Sequence, residues 1–439
     1  MIVLGNSGRV NIRRFVESEQ SATVDIRKAR VKAGNKVIGI LREDRRRSVE
    51  AMARGERRRL TAHAMLSIRD MFEAMVGPAR ILESEACHRF MESPLVSTAF
   101  TVLTSNMIQN AILDGYIQHS DAMVSALSTP MQSTLREEIL SGTQAIDVPQ
   151  TVREGEEYPD VSFGEKSVKT TESPKKGLAI SIARETALHD QTGRVMRDAN
   201  RLGASLAYDR LVELLKVITQ YAGFGRFRPK KDQNTDHAEV PLYRTSANTD
   251  STLWFKRNTT RIVQALINWK SINDAWVAGF TGRTDEAGRV VQPPPGTLQI
   301  VAPQALQMTI VEALGAVTVT REHAVAAYNY SAGDAIKNRQ ASPNPLLAIL
   351  GSIPTPFISP ILDSFPETSA GTDLPSGTNL NTWYMGNYQE TIVETINWAI
   401  EVTNLGPRPE RDVLVRYKGS RKSAFQPVSD MYALQCLGA

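Results

Sequence analysis

At 439 residues the chain is long enough for two or three packed units rather than one core. Its hydrophobic share of 41% and charged share of 22% are those of a folded globular protein. No run of eighteen apolar residues marks a membrane span, and two cysteines, Cys87 and Cys436, are too few for a disulfide framework and read as free thiols of a reducing compartment.

The net charge of +4 is unevenly placed. Residues 1–60 hold sixteen Lys/Arg against seven Asp/Glu, so a basic N-terminal stretch precedes a mildly acidic body and implies an acidic partner for the stretch. The opening Met1-Ile2-Val3-Leu4-Gly5-Asn6 turns polar too soon for a secretory signal. Synthesis in a cytoplasm is expected.

The first forty residues mix charge and glycine with short β-like runs such as Lys36-Val37-Ile38-Gly39-Ile40-Leu41 and read as an extended arm. From Ser48 apolar residues recur at helical steps, through Met52, Leu60, Met65, Ile68 and Met75, until Gly77-Pro78 stops them. Helical periodicity returns over Ile81–Phe90 and Ala99–Tyr116, and the region from His119 to Pro130 reads as a connector. Strands at Ile139–Val148 and Leu178–Ala183 then flank a polar loop, Gln150–Pro174, forming a long hairpin. A lone two-stranded ribbon is marginal in water, and no intramolecular partner is visible beside it, so it is expected to lie on a neighbouring subunit. Its mixed charge suits register-setting contacts across a boundary.

A long helix follows from near Asp190 to about Ala222, with Asp190 or Thr192 as cap and Gly223 and Gly225 as stop. Val195, Ala199, Leu202, Leu206, Leu211, Leu214, Leu215 and Ile218 form its apolar stripe; Arg194, Arg197, Arg201, Asp209, Arg210 and Glu213 take the other face. Gly203, unfavourable in a helix by about 1 kcal/mol, marks a close approach. Beyond a polar connector, Phe224–Asn248, the pattern predicts a helix at Ile262–Ala278 and strands at Thr297–Ala302 and Ala316–Thr320, with a helix-like run over Pro303–Leu314 between them. Residues 341–380 are rich in Pro, Ser, Gly and Thr. Strands are expected again at Thr382–Met385, Asn397–Val402 and Val413–Tyr417. Helices mixed with non-local strands make the fold α+β.

Enzyme motifs are absent: there is no phosphate loop, no G-x-S-x-G elbow and no H-E-x-x-H. The six histidines are scattered, and Cys87-His88 lacks further ligands nearby. No catalytic, cofactor-binding or metal residues are assigned. Phe224-Gly225-Arg226-Phe227-Arg228 and Trp254-Phe255-Lys256-Arg257 interleave aromatic and basic residues, a pattern that can stack on single-stranded bases but more commonly anchors a loop on a core.

The stretch Tyr158-Pro159-Asp160-Val161-Ser162-Phe163-Gly164-Glu165, with Lys176-Gly177-Leu178-Ala179-Ile180-Ser181-Ile182-Ala183-Arg184-Glu185 and Leu202-Gly203-Ala204-Ser205-Leu206-Ala207, resembles the extended loop and spine helix of the major capsid (head) protein family of tailed bacteriophages. Colinear echoes at Pro295–Pro303, Asn381–Met385 and Asp412–Tyr417 extend the resemblance over residues 90–435.

The resemblance implies a basic N-terminal arm (1–45), a helical N-terminal region (46–138), an extended hairpin loop (139–183), a peripheral domain with the spine helix (184–255), an axial domain (256–390) and return strands of the peripheral domain (391–439). It implies a non-catalytic virion protein without cofactor or membrane, self-assembling into hexamers and pentamers of an icosahedral head around double-stranded DNA. Portal, scaffolding and decoration proteins are the further partners of such a subunit. Hairpin contacts between subunits fall to Arg153, Glu157, Tyr158, Asp160, Phe163, Glu165, Lys166 and Lys169. Some members cross-link a hairpin lysine; Lys166 or Lys169 stands at that place, without a residue context that supports the chemistry. Arg45, Arg46, Arg47, Arg57, Arg58 and Arg59 are the candidates for contact with DNA or a neighbour. The alternative reading is a non-catalytic nucleic-acid-binding protein that uses the basic arm.

Overall fold

The computed structural model describes residues 26–53, 94–143, 152, 165–183, 194–229, 239–244, 259–284, 289–294, 296–315, 318–324, 337–343, 354–365, 381–405 and 413–438. In chain order its elements begin with helices α1 (Ile26–Ala53), α2 (Pro94–His119) and α3 (Ala122–Leu127), then strands β1 (Thr129–Gln132), β2 (Ile139–Thr143), β3 (Glu165–Lys169) and β4 (Lys175–Ala183). The long helix α4 (Arg194–Thr219) leads to β5 (Arg226–Pro229), β6 (Val240–Pro241), β7 (Arg261–Val263) and helix α5 (Trp269–Phe280). Next come β8 (Gln299–Pro303), α6 (Gln307–Gly315), β9 (Thr318–Ala324), β10 (Lys337–Pro343), β11 (Thr355–Ser359) and the short α7 (Pro360–Asp363). The chain continues through β12 (Trp383–Gly386), α8 (Tyr388–Thr391), β13 (Ile392–Asn404), β14 (Val413–Pro427) and β15 (Ala433–Leu437). The fold is α+β, and the chain divides into two compact units.

The first unit holds Met1–Ala122, Pro174–Leu211 and Trp398–Ser423. Its centre is the crossing of α2 and α4. Small residues recur every four positions, Ala111 and Gly115 on α2, Ala199, Gly203 and Ala207 on α4, and all are buried. A Cβ built on Gly203 would stand 2.0 Å from the Ile112 carbonyl oxygen, and one on Gly115 would stand 2.0 Å from that of Asn200. Only glycine lets the two backbones come this close. Around the crossing, Ile108, Ile112, Tyr116, Val195, Leu202, Leu206 and Tyr417 form the core. Each fully buried aliphatic side chain contributes about 1.5–3 kcal/mol. The stripe read along α4 is buried from Val195 to Ile218.

Strand β4 runs antiparallel to β14, from Lys175 opposite Lys422 to Ala183 opposite Val413, with one register shift between Val413 and Val415. Helix α1 places Val37, Ile38, Leu41, Ser48 and Ala51 in the interior, a helical spacing, and Asn110 of α2 donates to its Leu41 carbonyl at 2.9 Å.

The second unit holds Met123–Ser173, Val212–Asn397 and Ala424–Ala439. A mixed five-stranded sheet, in the order β11-β8-β12-β15-β7, forms its floor. Strand β8 is buried along its whole length. Ile272, Ala275 and Phe280 of α5, with Ile310, Ala313 and Leu314 of α6, pack on Ile300, Ala302, Trp383, Met385, Leu434 and Cys436. Helix α5 starts where the Asn268 side chain accepts from the amides of Lys270 and Ser271, an N-cap.

Arg283 lies 3% exposed and is satisfied by backbone oxygens. It donates to the carbonyls of Thr259 at 3.3 Å, Ala433 at 3.0 Å and Asp430 at 3.3 Å, and to Gly279 and Met431. Burial pulls this guanidinium down to about 10. A smaller antiparallel sheet, β2-β3-β5-β6, completes the described sheets of this unit together with the β9–β10 ladder and the parallel pairing of β1 with Val393–Ile396 of β13.

Several elements differ from the sequence pattern. Residues 26–53 form a helix, not an extended arm with short strands. The run Lys36–Leu41 fits a helix because Val37, Ile38 and Leu41 share one face, and Glu43 pairs with the arginines one turn on. The hairpin is shorter than expected and differently paired. Strand β2 pairs with β3, Ile139 opposite Lys169 and Thr143 opposite Glu165, while the expected second strand belongs to β4 and pairs with β14. Both ladders therefore have intramolecular partners, since β3 also pairs with β5.

The connector regions contain α3, β1, β5 and β6, and the helix expected from Ile262 begins at Trp269 after β7. Helix α4 ends at Gln220, which takes φ 56° where glycine was expected. Its amide donates to the Gly225 carbonyl at 3.2 Å, and its side-chain oxygen accepts from Arg261 at 3.4 Å, which offsets the roughly 1–2 kcal/mol of that backbone conformation. Glu213, expected on the solvent face, is buried, because the last two turns of α4 are enclosed on several sides. The expected helices at 54–90, the caps Asp190 and Thr192, and Trp254–Arg257 lie outside the described residues.

Gly203→Ala is expected to destabilise the protein by about 1–3 kcal/mol, although alanine is the better helix former by about 1 kcal/mol. A thermal melt that stays level or rises would show that the helices separate without penalty. Leu206→Asp places an unpaired carboxylate in the core and should lower stability by about 4 kcal/mol or more. Soluble protein with an unchanged melting temperature would contradict the burial of the stripe.

Candidate assembly site

The hairpin formed by β2 and β3 has a fixed root. Lys169 Nζ lies 2.8 Å from Glu137 Oε2, and Arg228 bridges Glu137 at 3.9 Å and Glu239 more closely. The Lys169 bond, aided by the Arg228 and Arg136 charges and opposed by burial, holds the Glu137 carboxyl below its ordinary value. Beyond β3, Thr170 N donates to the Glu138 carbonyl at 2.7 Å, and the Thr170 hydroxyl accepts from Glu138 N at 2.8 Å.

Gln426, 1% exposed, clamps the same segment. Its amide donates to the Lys169 carbonyl at 3.0 Å, and its oxygen accepts from the Thr171 hydroxyl at 2.6 Å and from the Thr171 amide. Ser173 and Thr395 hydroxyls meet at 3.3 Å. Backbone groups that would otherwise be buried unpaired are thus satisfied, and the base of the hairpin is held in one register.

Of the candidate hairpin residues, Lys169 sits in this root network. Glu165 and Lys166 lie on β3, opposite Thr143 and Gly142. Arg153, Glu157, Tyr158, Asp160 and Phe163 lie outside the described residues. The root makes Lys169 a positioning residue within its own subunit, a role the sequence alone did not separate from contact with a neighbour. No pattern in the sequence marked Glu137 or Gln426 as its partners.

Among the basic candidates, Arg45, Arg46 and Arg47 lie on α1, and Arg57, Arg58 and Arg59 lie outside the described residues. Arg45 is turned inward and donates to the Gln109 side chain of α2; burial, with the charge of Arg42, lowers its guanidinium from the ordinary value. Arg46 binds Glu43 at 3.0 Å and Glu50 at 3.7 Å, and Arg47 binds Glu43 at 2.7 Å. These are solvent-exposed pairs along one helix, which support the helix only weakly.

A further charged node lies in the first unit. Asp209 of α4 accepts from Lys176 Nζ at 3.1 Å and from Arg421, a guanidinium 1% exposed that also donates to the Ser423 hydroxyl at 2.8 Å. Asp209 and Arg421 are 212 residues apart; the β4–β14 register sets Arg421 opposite Lys176, and the packing of α4 on β14 brings both to Asp209. Among the described residues no group of three His, Cys, Asp or Glu side chains is placed to hold a metal ion. No described helix is long and apolar enough to cross a membrane. Cys436 is buried and free.

No family model and no curated protein matches the chain. Among solved structures it is similar to the capsid of the cyanophage P-SCSP1u, at 13% identity and a TM-score of 0.43 over 71% of this chain and 86% of that one. It is similar to Gordonia phage Cozz, at 11% identity and a TM-score of 0.41 over 73% and 87%. A virus-like particle from Pyrococcus furiosus is similar at 10% identity and a TM-score of 0.38, over 75% and 97%.

Burial pushes the Asp209 carboxyl up, but its bonds to Arg421 and Lys176 outweigh burial and leave it below the ordinary value. The stabilisation is therefore complete above the unfolded value, near pH 4, and is lost as the pH falls through the lower folded value. Asp209→Asn is expected to reduce stability at pH 7 by about 1–3 kcal/mol, less than for a fully buried pair because the carboxylate is partly solvated. The difference from the parent should shrink below pH 4. Urea melts at pH 7 and pH 3 that differ equally between the two proteins would contradict this sign.

Proposed function

We propose that this chain is a non-catalytic shell subunit whose copies associate as hexamers and pentamers into an icosahedral head around double-stranded DNA. One feature supports the reading above the others: a hairpin whose root is pinned by Lys169, Glu137 and Gln426, followed by a tip too polar to add to any core. Residues 153–165 hold one basic and five acidic residues. A rigid stalk with a charged tip suits contact with another molecule, where charge sets register. Arg153, Glu157, Tyr158, Asp160, Phe163, Glu165 and Lys166 are the contact residues of this reading. The basic excess over residues 1–60 fits the inner face, near DNA phosphates, with Arg57, Arg58 and Arg59 as its contacts. Arg45, Arg46 and Arg47 serve the helix first.

Purified protein concentrated at low salt is expected to form shells or ring-shaped capsomers under negative-stain microscopy. Monomers at every concentration would overturn the reading. Replacing residues 146–162 with a short Gly-Ser turn keeps β2, β3 and the root. The expected product melts within about 2 °C of the parent, in line with the small effects of surface changes, and forms no shells. Normal shells from it would remove the hairpin from assembly.

A further inference from the structure

The aromatic and basic run Phe224-Gly225-Arg226-Phe227-Arg228 does not anchor on the core at its first ring. Phe224 is 42% exposed, whereas Phe280 and Phe425 are buried and Phe357 and Phe365 half-buried. A single exposed ring is ordinary on a protein surface; the backbone that carries this one is not. Beyond α4 the chain makes one tight turn, Tyr221–Gly223, and Phe224 follows in extended conformation between Gly223 at φ 84° and Gly225 at φ 72°. Glycine adopts such positive φ at no steric cost, and a Cβ on Gly225 would run into the Val217 carbonyl oxygen. Hydrogen bonds close the turn. Phe224 N donates to the Tyr221 carbonyl at 3.1 Å and Leu242 N to the Gly225 carbonyl at 3.1 Å, and the Gln220 side chain donates to that same carbonyl at 3.2 Å. The ring is held out from the surface on a fixed backbone.

Lys216 Nζ lies over the Phe224 ring, 5.6 Å from its centroid, and 6.0 Å from that of Tyr221, within reach of a cation–π contact. Tyr221 stacks on Phe365, with centroids 4.9 Å apart and planes 17° from parallel, which backs the turn. Arg226, two residues past Phe224, is exposed. From Leu214 to Pro229 the sequence holds three basic residues and no acidic one. The carboxylates of neighbouring elements are Glu137 and Glu239, both bridged by Arg228, and the exposed Asp363 of α7. Among the described residues neither Lys216 nor Arg226 has an ion pair. A ring with one cation over its face and a second two residues on is suited to stack on a base and to hold its phosphates.

We propose that Phe224, Lys216 and Arg226 form a binding site for single-stranded nucleic acid. One base stacks on the exposed side of the ring, and the two cations hold the flanking phosphates. Such stacking reads no sequence, because every base has a flat face. A duplex keeps its bases stacked on one another and offers this site only phosphate. The site stands apart from the shell reading and does not depend on assembly. An acidic surface of another protein is the competing occupant. An aromatic anchor between proteins is ringed by contacts that exclude water, whereas Phe224 has glycine on both sides and cations beside it.

The test uses the full chain below the concentration at which it assembles. Its probes are fluorescent single strands of deoxythymidine and of uridine, and a DNA duplex of the same length. Strand binding is expected to fall about tenfold in F224A, the loss of one stacked base, with duplex binding unchanged. F224L, which keeps an apolar side chain without a ring, should lose as much, and F224W should bind at least as tightly as the parent. K216Q/R226Q should weaken strands and duplex alike and flatten the dependence of affinity on salt. All four variants are expected to melt within about 2 °C of the parent. If F224A melts lower, F224L and F224W carry the comparison. The strand bound more tightly names DNA or RNA as the source.

Parent protein that binds neither strand overturns the site, as does F224A that binds strands like the parent. Equal losses on strand and duplex in F224A, or F224W as weak as F224A, overturn the stacking. Strand binding kept in F224A while its shells are lost assigns the ring to contact with another protein surface and overturns the site as well. Shells without strand binding overturn this site alone, and strand binding without shells overturns the shell reading alone.

Discussion

The backbone-to-backbone approach of α2 and α4 is the constraint on which the first unit depends. With Ala111 and Gly115 facing Asn200 and Gly203, the helices touch through main chain and not through side chains, which removes the slack that flexible side chains would leave at the crossing. The same crossing then accepts the β4–β14 ladder at Gly419, where a side chain would run into Leu202 and Leu206. Once the ladder is seated there, its register brings Lys176 and Arg421 to Asp209. The opposite face is left with Arg416, Lys418, Lys422 and Lys175. Gly419 of β14, seated on Leu202 and Leu206, thus sets which face of the strand is turned away from the helices.

In the second unit, buried polar groups do comparable work. Arg283 and Gln426 are both almost wholly buried, and both are held by carbonyl, hydroxyl or amide groups of segments distant in sequence. An unsatisfied buried donor costs about 1–3 kcal/mol, so each clamp selects one arrangement of the strands it joins. Gln426 has the clearer functional consequence. It holds Lys169 and Thr171 at the foot of the hairpin, so that the charged segment between β2 and β3 starts from a defined point. The proposed assembly reading draws on this division between a root held in one register and a charged segment between β2 and β3.

The long helix was legible because its burial follows local periodicity: all eight residues of the stripe are buried, and Gly203 is a point of close approach. The strands at Gln299–Pro303, Trp383–Gly386 and within β13 and β14 were legible for the same reason. Residues 26–41 were not, since a glycine and a β-branched run obscure a helical face that becomes meaningful only against Leu41's partner, Asn110. The hairpin was found but mispaired. Both β3 and β4 have short alternating patterns, and nothing local tells which of them returns to β2.

What the sequence determined by itself was the α+β class, the buried stripe of α4, the polar character of Gln150–Pro174 and the basic excess at the N-terminus. These follow from composition and from periods of two and 3.6 residues, which act within a few neighbours. The tertiary structure alone decided that β4 belongs with β14, that Arg45 packs inward on Gln109, that Gln426 anchors the hairpin and that four cations share one face of a ladder. Each of these joins segments between 64 and 257 positions apart, and at such separations pairing is chosen by packing and register, which no local pattern encodes.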